Sequence, residues 1–242
     1  MKNFRYLIAL FILAFAFVSC SSTKLDQESV KQVKKVGVVG IEVIQEMLGE
    51  SDGPSMGNGA RQESEHVKTI FDGFINSIHK NKSWKALSYN KITSNAYYFQ
   101  QYKNEMKGLR SVPPPGANRE VFSAPKLMDQ WAISRMTKDQ KNLLCRKLGV
   151  DAIAYLRIQS DLKAKASLLT LVGGGNVVPD ARVQIELYSL AKGEVIWRES
   201  ALAKTSSDGA KHWAGISKKD AINKLVVESS KLSFEELFKK LK

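Results

Sequence analysis

Three consecutive glycines, Gly173, Gly174 and Gly175, follow the apolar run Leu168-Leu169-Thr170-Leu171-Val172. A Gly-rich loop after an apolar strand is how phosphate cradles are built, because backbone N–H groups and a helix N-terminus can then face an anion. That chemistry also needs Lys-Ser or Lys-Thr after the last glycine, followed by a helix. Here Gly175 is followed by Asn176, Val177, Val178 and Pro179, and then by a strand pattern. A dinucleotide-binding fingerprint fails on the same ground. The glycines are therefore expected to form the turn of a β-hairpin spanning residues 161–188, where Gly and Asn accommodate positive φ. Leu168, Leu169, Leu171 and Val172 then sit at its tip, either folded onto the body as core or exposed as a contact patch for a partner.

The remaining residues with chemical potential do not converge. His66, His79 and His212 fall on separate predicted elements without ligand spacing, so neither a metal site nor a cofactor is expected. Glu63, Glu65, Glu235 and Glu236 lie in polar stretches. The sequence contains no G-x-S-x-G, H-E-x-x-H or C-x-x-C. Cys145, in Leu143-Leu144-Cys145, has the setting of a buried thiol rather than a nucleophile. No enzyme signal emerges, and a hydrolase would have to use Ser and Asp residues that no motif marks.

The second cysteine belongs to the N-terminus. Lys2 and Arg5 precede an uncharged apolar run from Tyr6 to Val18, and small polar residues close it. This is the layout of a secretory signal peptide. The run is about 13 residues, where a membrane-spanning helix needs roughly 20. Phe17-Val18-Ser19-Cys20 resembles the bacterial lipobox, with Phe17 where leucine is usual. The resemblance implies cleavage after residue 19, diacylglycerol and further acyl chains on Cys20, and anchorage to a membrane. Each buried methylene adds about 0.8 kcal/mol, so several chains anchor durably. Ser21 is not the aspartate that such proteins use for inner-membrane retention, which points to the outer membrane, facing the periplasm. With Cys20 acylated, Cys145 has no partner for a disulfide.

The chain carries a formal charge of +13, and loss of Lys2 and Arg5 with residues 1–19 leaves +11. Such a balance suggests nucleic acid, but an exported protein meets anionic headgroups and wall polymers instead. The lysines are also dispersed along the chain. They are read as a solvated surface with secondary attraction to anionic surfaces, and no nucleic-acid partner is expected. The chain is 43% hydrophobic, and about 220 mature residues suffice for a core without disulfides.

The elements that must position any site follow from periodicity. Residues 1–19 are the signal peptide, residues 20–34 a polar tether, and residues 35–242 a single domain. Val36 to Ile41 reads as a buried strand, and residues 49–65 as a flexible loop. Val67, Ile70, Phe71, Phe74, Ile75 and Ile78 form one apolar helical stripe. A strand is expected at 85–92 and a helix at 93–106. A long insert around residues 108–126 carries Pro113-Pro114-Pro115, which excludes helix and sheet interior. Thr137-Lys138-Asp139-Gln140 fits a capping box, and Gly149 ends its helix. Strands follow at 150–158, 181–188 and 194–203, the middle one strictly alternating. Ser217 opens a last helix, and Ser233 looks like a second start. The order of elements is therefore β-α-β-α-loop-α-β-β-β-α.

Two phrases within that order carry a resemblance. Residues 146–156, RKLGVDAIAYL, resemble the helix-end and strand of TolB-N-terminal-like and curli-secretion-channel-like lipoprotein domains. Residues 187–197, LYSLAKGEVIW, resemble their Tyr-to-Trp hairpin, with Ser189 in place of the usual aspartate. Lys35 to Val39 fits their first strand. The resemblance implies an α/β (α+β) fold, a mixed sheet with helices packed on it, in an envelope lipoprotein acting as a non-enzymatic accessory factor for a larger assembly, with an envelope protein as partner. Its alternative is a ring or channel subunit that uses the 161–188 hairpin.

Overall fold

The computed structural model describes residues 23–46, 62–105, 119–165, 174–203, 210–213 and 219–241. It is a mixed α/β fold organised around one sheet, in the order β1-β8-β7-β6-β2-β5-β3, with β4 also on β2 and β9 also on β7. The strands are β1 (Lys24–Leu25), β2 (Lys35–Glu46), β3 (Gln62–Glu63), β4 (Lys85–Ala86), β5 (Arg119–Ser123), β6 (Ala152–Lys165), β7 (Gly174–Ser189), β8 (Glu194–Ala203) and β9 (Ala210–Trp213). The helices are α1 (Gln27–Gln32), α2 (Glu65–Asn81), α3 (Tyr89–Thr93), α4 (Ala96–Glu105), α5 (Gln130–Arg135), α6 (Lys138–Leu148) and α7 (Lys219–Lys239). The β2–β6 pair is parallel, whereas β6, β7 and β8 form an antiparallel meander.

The two sheet faces are covered differently. Ala154, Leu156, Val183, Ile185, Leu187 and Trp197 point to a first face and are buried. There α2 and α7 pack together, Phe74 meeting Phe234 edge-on at 5.0 Å and stacking on Phe238 at 5.7 Å. The α2 stripe read from spacing is this contact: Val67, Ile70, Phe71, Phe74 and Ile78 are buried. On the second face, α5 and α6 cover one end of β2, β6 and β7. The Tyr188 hydroxyl donates to Asn142 Oδ1 at 3.0 Å, and Ile133 and Met136 are buried there. α6 begins with the expected capping box at Thr137 and Gln140 and ends at Gly149 with φ 65°. This end of the molecule is set by local sequence.

Several expectations are corrected. Residues 24–34 were expected within the tether, yet β1 pairs with β8 and α1 packs on the body. Val30 and Val33 are buried, and Asp26 caps α1 by accepting from the Ser29 N–H at 3.0 Å. The 85–92 strand is reduced to Lys85–Ala86, beside Lys35–Val36. Beyond that point the edge of β2 is occupied by Met128, through the Gly40–Met128 bridge, and then by β5. The chain therefore leaves and coils into α3, burying Leu87 and Ile92. The insert expected at 108–126 contains β5, an internal strand between β2 and β3, while Pro113–Pro115 lie outside the described residues.

Ser233 is not a helix start. It lies within continuous α7, where its hydroxyl donates to the Ala181 carbonyl at 2.6 Å and accepts from the Ala203 N–H at 3.0 Å. It ties α7 to two strands.

The phrase at 146–156 acquires a physical role. Asp151 Oδ2 accepts from the N–H groups of Lys34 and Lys35 at 2.9 and 2.8 Å, and Asp151 donates its own N–H to the Lys35 carbonyl. It fixes where β2 begins beside β6.

Candidate functional site

Beyond the reach of α5 and α6, the second face of the sheet is polar. Cross-strand register puts Tyr155 opposite Glu186, Arg157 opposite Gln184, and Gln159 opposite Arg182. On the next strand Glu186 faces Arg198 and Gln184 faces Ser200. On the other side Glu42 neighbours Arg157. Alternation within each strand brings these side chains to one surface, because residues two apart share a face.

Opposite charges pair across the strands. Arg198 Nε lies 2.9 Å from Glu186 Oε1, and Arg119 Nη2 lies 2.7 Å from Asp161 Oδ1. Arg157 Nε is 3.6 Å from Glu42 Oε1, and the Glu42 side chain is only 1% exposed. Truncating Arg157 would leave a buried carboxylate without that cation, a more costly change than removing a surface pair. Tyr155 is held well above the ordinary phenol range by burial, and next by its hydrogen bond to Glu186. A cavity of about 80 Å³ opens on this surface, bordered by Thr23, Gln130, Tyr155, Arg157, Gln184 and Arg198 among others. Guanidinium groups alternating with carboxylates and amides can recognise a polar or charged surface by hydrogen bonds. A phenol so far from ionisation is no base at neutral pH.

These residues were not singled out from the sequence. The signal was present: Glu42 interrupts the run Val38 to Ile44, and Arg157 and Glu186 stand among apolar neighbours. Only register shows that they meet.

The residues that sequence analysis did single out are placed as follows. Cys20, Leu168, Leu169, Leu171 and Val172 lie outside the described residues. The strands that flank those four apolar residues in sequence, β6 and β7, pair from Ala152↔Ser189 out to Lys165↔Asn176. The expected glycine turn is corrected in part. Gly174 and Gly175 are strand residues, paired with Trp213 and His212 of β9. Among the described residues the positive-φ glycines are Gly149 and Gly193. β9 offers hydrogen bonds to residues 174–177, so extended backbone is favoured there over a turn. A strand does follow Gly175, the feature that separates this stretch from a phosphate loop.

His66 and His79 sit at opposite ends of α2, and His212 is in β9. His66 Nδ1 is 2.6 Å from Ser64 Oγ. Among the described residues, no three His, Cys, Asp or Glu side chains gather as metal ligands would. Cys145 is fully buried on α6, and desolvation pushes its thiol up to about 12. Because thiolate is the reactive form, the native protein is expected to resist aromatic disulfide reagents up to pH 9 and to release one titratable thiol on unfolding. This assumes Cys20 is acylated or replaced. Rapid labelling of the native protein would contradict the burial.

No protein-family model matches the chain, and no curated protein sequence matches it. Solved structures with partial similarity include the C-terminal domain of LpoB from Salmonella enterica, at 12% identity over 71% of this chain and 83% of that one, with a TM-score of 0.34. Lipoprotein GNA1162 from Neisseria meningitidis overlaps at 10% identity, 84% and 99% coverage, and a TM-score of 0.36. The hypothetical protein CT253 from Chlamydia trachomatis overlaps at 8% identity, 86% and 94% coverage, and a TM-score of 0.38. At such overlaps, the function has to be argued from this chain's own residues.

Proposed function

We propose that this chain is a lipid-anchored lipoprotein of the bacterial envelope, outer-membrane bound and facing the periplasm, that serves a larger envelope assembly as a non-enzymatic binding factor. The observation that carries the proposal is the N-terminal order: basic start, short apolar run, then Phe17-Val18-Ser19-Cys20. Cys20 is the lipid attachment point, and Ser21 directs the product outward. No helix among the described residues is long and apolar enough to cross a membrane, and the proposed anchor is the acylated cysteine. The polar face of β6, β7 and β8 supports a recognition role over a covalent one. Leu168, Leu169, Leu171 and Val172 are the proposed partner contact, at the end of the β6–β7 hairpin.

A second reading, a ring or channel subunit, is favoured by one feature. The β6–β7 pairing continues through residues 161–165, past the last β2 partner at Ser160 and the last β8 partner at Ala181. One experiment separates the two. Cys20→Ser is expected to move the protein from the membrane pellet to the soluble fraction, and light scattering without detergent should then report a monomer. Retention in the pellet would defeat the lipid anchor, while a uniform large particle would favour the ring.

A further inference from the structure

Resting on lipidation at Cys20, we infer that the folded domain lies directly against the phospholipid surface, with the β1–β8 edge and the polar sheet face turned toward the headgroups and α2 turned away. The first step is chain length. A polar tether over residues 20–34 would let the domain roam far from its anchor. The structure instead places Lys24 and Leu25 in β1, in register with Arg198 and Trp197 of β8, and Asp26 donates its N–H to the Ile196 carbonyl at 2.8 Å. Lys24, four residues after Cys20, therefore already belongs to the sheet. Three Cα-to-Cα steps separate Cys20 from Thr23, and at about 3.8 Å each they span no more than about 11 Å in any conformation.

The second step is where the described chain begins. Thr23 borders the cavity on the polar face, beside Ser200 and Gln184. Thr23, on this side of the sheet, must therefore stay within about 11 Å of an acylated cysteine. α2 packs on the opposite face, so its outer surface lies beyond the sheet by at least a helix diameter, about 10 Å. A short leash attached to one side of a layered domain sets orientation as well as distance.

The third step is charge. Arg182 is exposed on this face; Arg198, 42% exposed, is paired with the less exposed Glu186 at 18%, while Lys24, 41% exposed, is paired with Glu194 at 55%. The mature chain is +11 overall. Anionic headgroups attract such a surface only within about a Debye length, roughly 8 Å at physiological ionic strength. The tether holds Thr23 to a distance of the same order as that range. The occupant of this face is accordingly an anionic phospholipid surface.

The test uses the full lipidated protein in vesicles of phosphatidylethanolamine and phosphatidylglycerol that contain a nitroxide-headgroup lipid. A fluorophore is placed at Arg182→Cys in one preparation and at Asn76→Cys, exposed on α2, in another; buried Cys145 does not compete for label. Mass spectrometry of the N-terminal peptide reports acylation independently. The expected result is an acylated peptide, loss of most emission at position 182, and little loss at position 76. A long Gly-Ser insert between Ser22 and Thr23 should abolish the contrast. An acylated peptide with equally weak quenching at both positions overturns the orientation. An unmodified peptide overturns the lipid anchor and this inference with it.

Discussion

Phe74→Ala is expected to lower the free energy of unfolding by about 3–5 kcal/mol, the cost of emptying a large aromatic site that cannot collapse. Phe74 is fully buried at the junction of α2, α7 and the sheet. Its ring contacts Phe234 and Phe238, and Phe238 in turn lies 5.9 Å from Trp197 of β8. Removing it therefore loosens helix from helix and helix from strand together. Urea unfolding followed by circular dichroism measures the loss. The exposed ion pair between the same helices, Lys80 with Glu235 at 3.1 Å, gives the contrast: Glu235→Ala should cost at most about 1 kcal/mol. A comparable loss from both substitutions would show that the apolar junction does not hold the layers together.

Gly40→Ala is expected to destabilise by about 1–3 kcal/mol, as overpacking does, while Gly37→Ala should be near neutral. Both glycines stand in one buried strand. A Cβ on Gly37 would meet Leu148, Leu87 and Val150 at 3.6–3.7 Å, ordinary contact distances. A Cβ on Gly40 would lie 2.9 Å from the Met128 carbonyl oxygen and 3.2 Å from Ile133. That carbonyl accepts from the Ile41 N–H at 3.1 Å, and the β2–β6 register shifts between Val38 and Gly40. The missing side chain lets the segment before α5 reach the edge of β2. Thermal unfolding of the two variants decides it; equal melting temperatures would mean that the segment yields without cost.

How far the sequence reaches depends on the range of the forces involved. The α2 stripe, the α6 capping box and the αL stop at Gly149 are decided within a few residues, and each is present as read. Alternation in β7 identified Ala181, Val183, Ile185 and Leu187 as the buried set. Failures arose where a distant neighbour outweighed local preference. The turn expected at Gly174 and Gly175 is strand because β9 pairs with them. The Ser233 hydroxyl serves the backbones of β7 and β8 instead of capping a helix. α1 was taken for tether because Val30 and Val33 find their burial against residues far along the chain.

The sequence by itself determined the fold class, the α2 and α6 helices, the strand alternation and the proposal of a lipid anchor at Cys20. The fold class came from the resemblance carried by residues 146–156 and 187–197, and the others rest on short-range periodicity or on a contiguous motif. Only the tertiary structure decided which of two equivalent-looking glycines leaves little room for a side chain, that Glu42, Arg157, Glu186 and Arg198 share one face, and that Lys24 and Leu25 belong to the folded body. Those outcomes depend on strand register and packing, which join residues more than a hundred positions apart and leave no periodic trace in the chain.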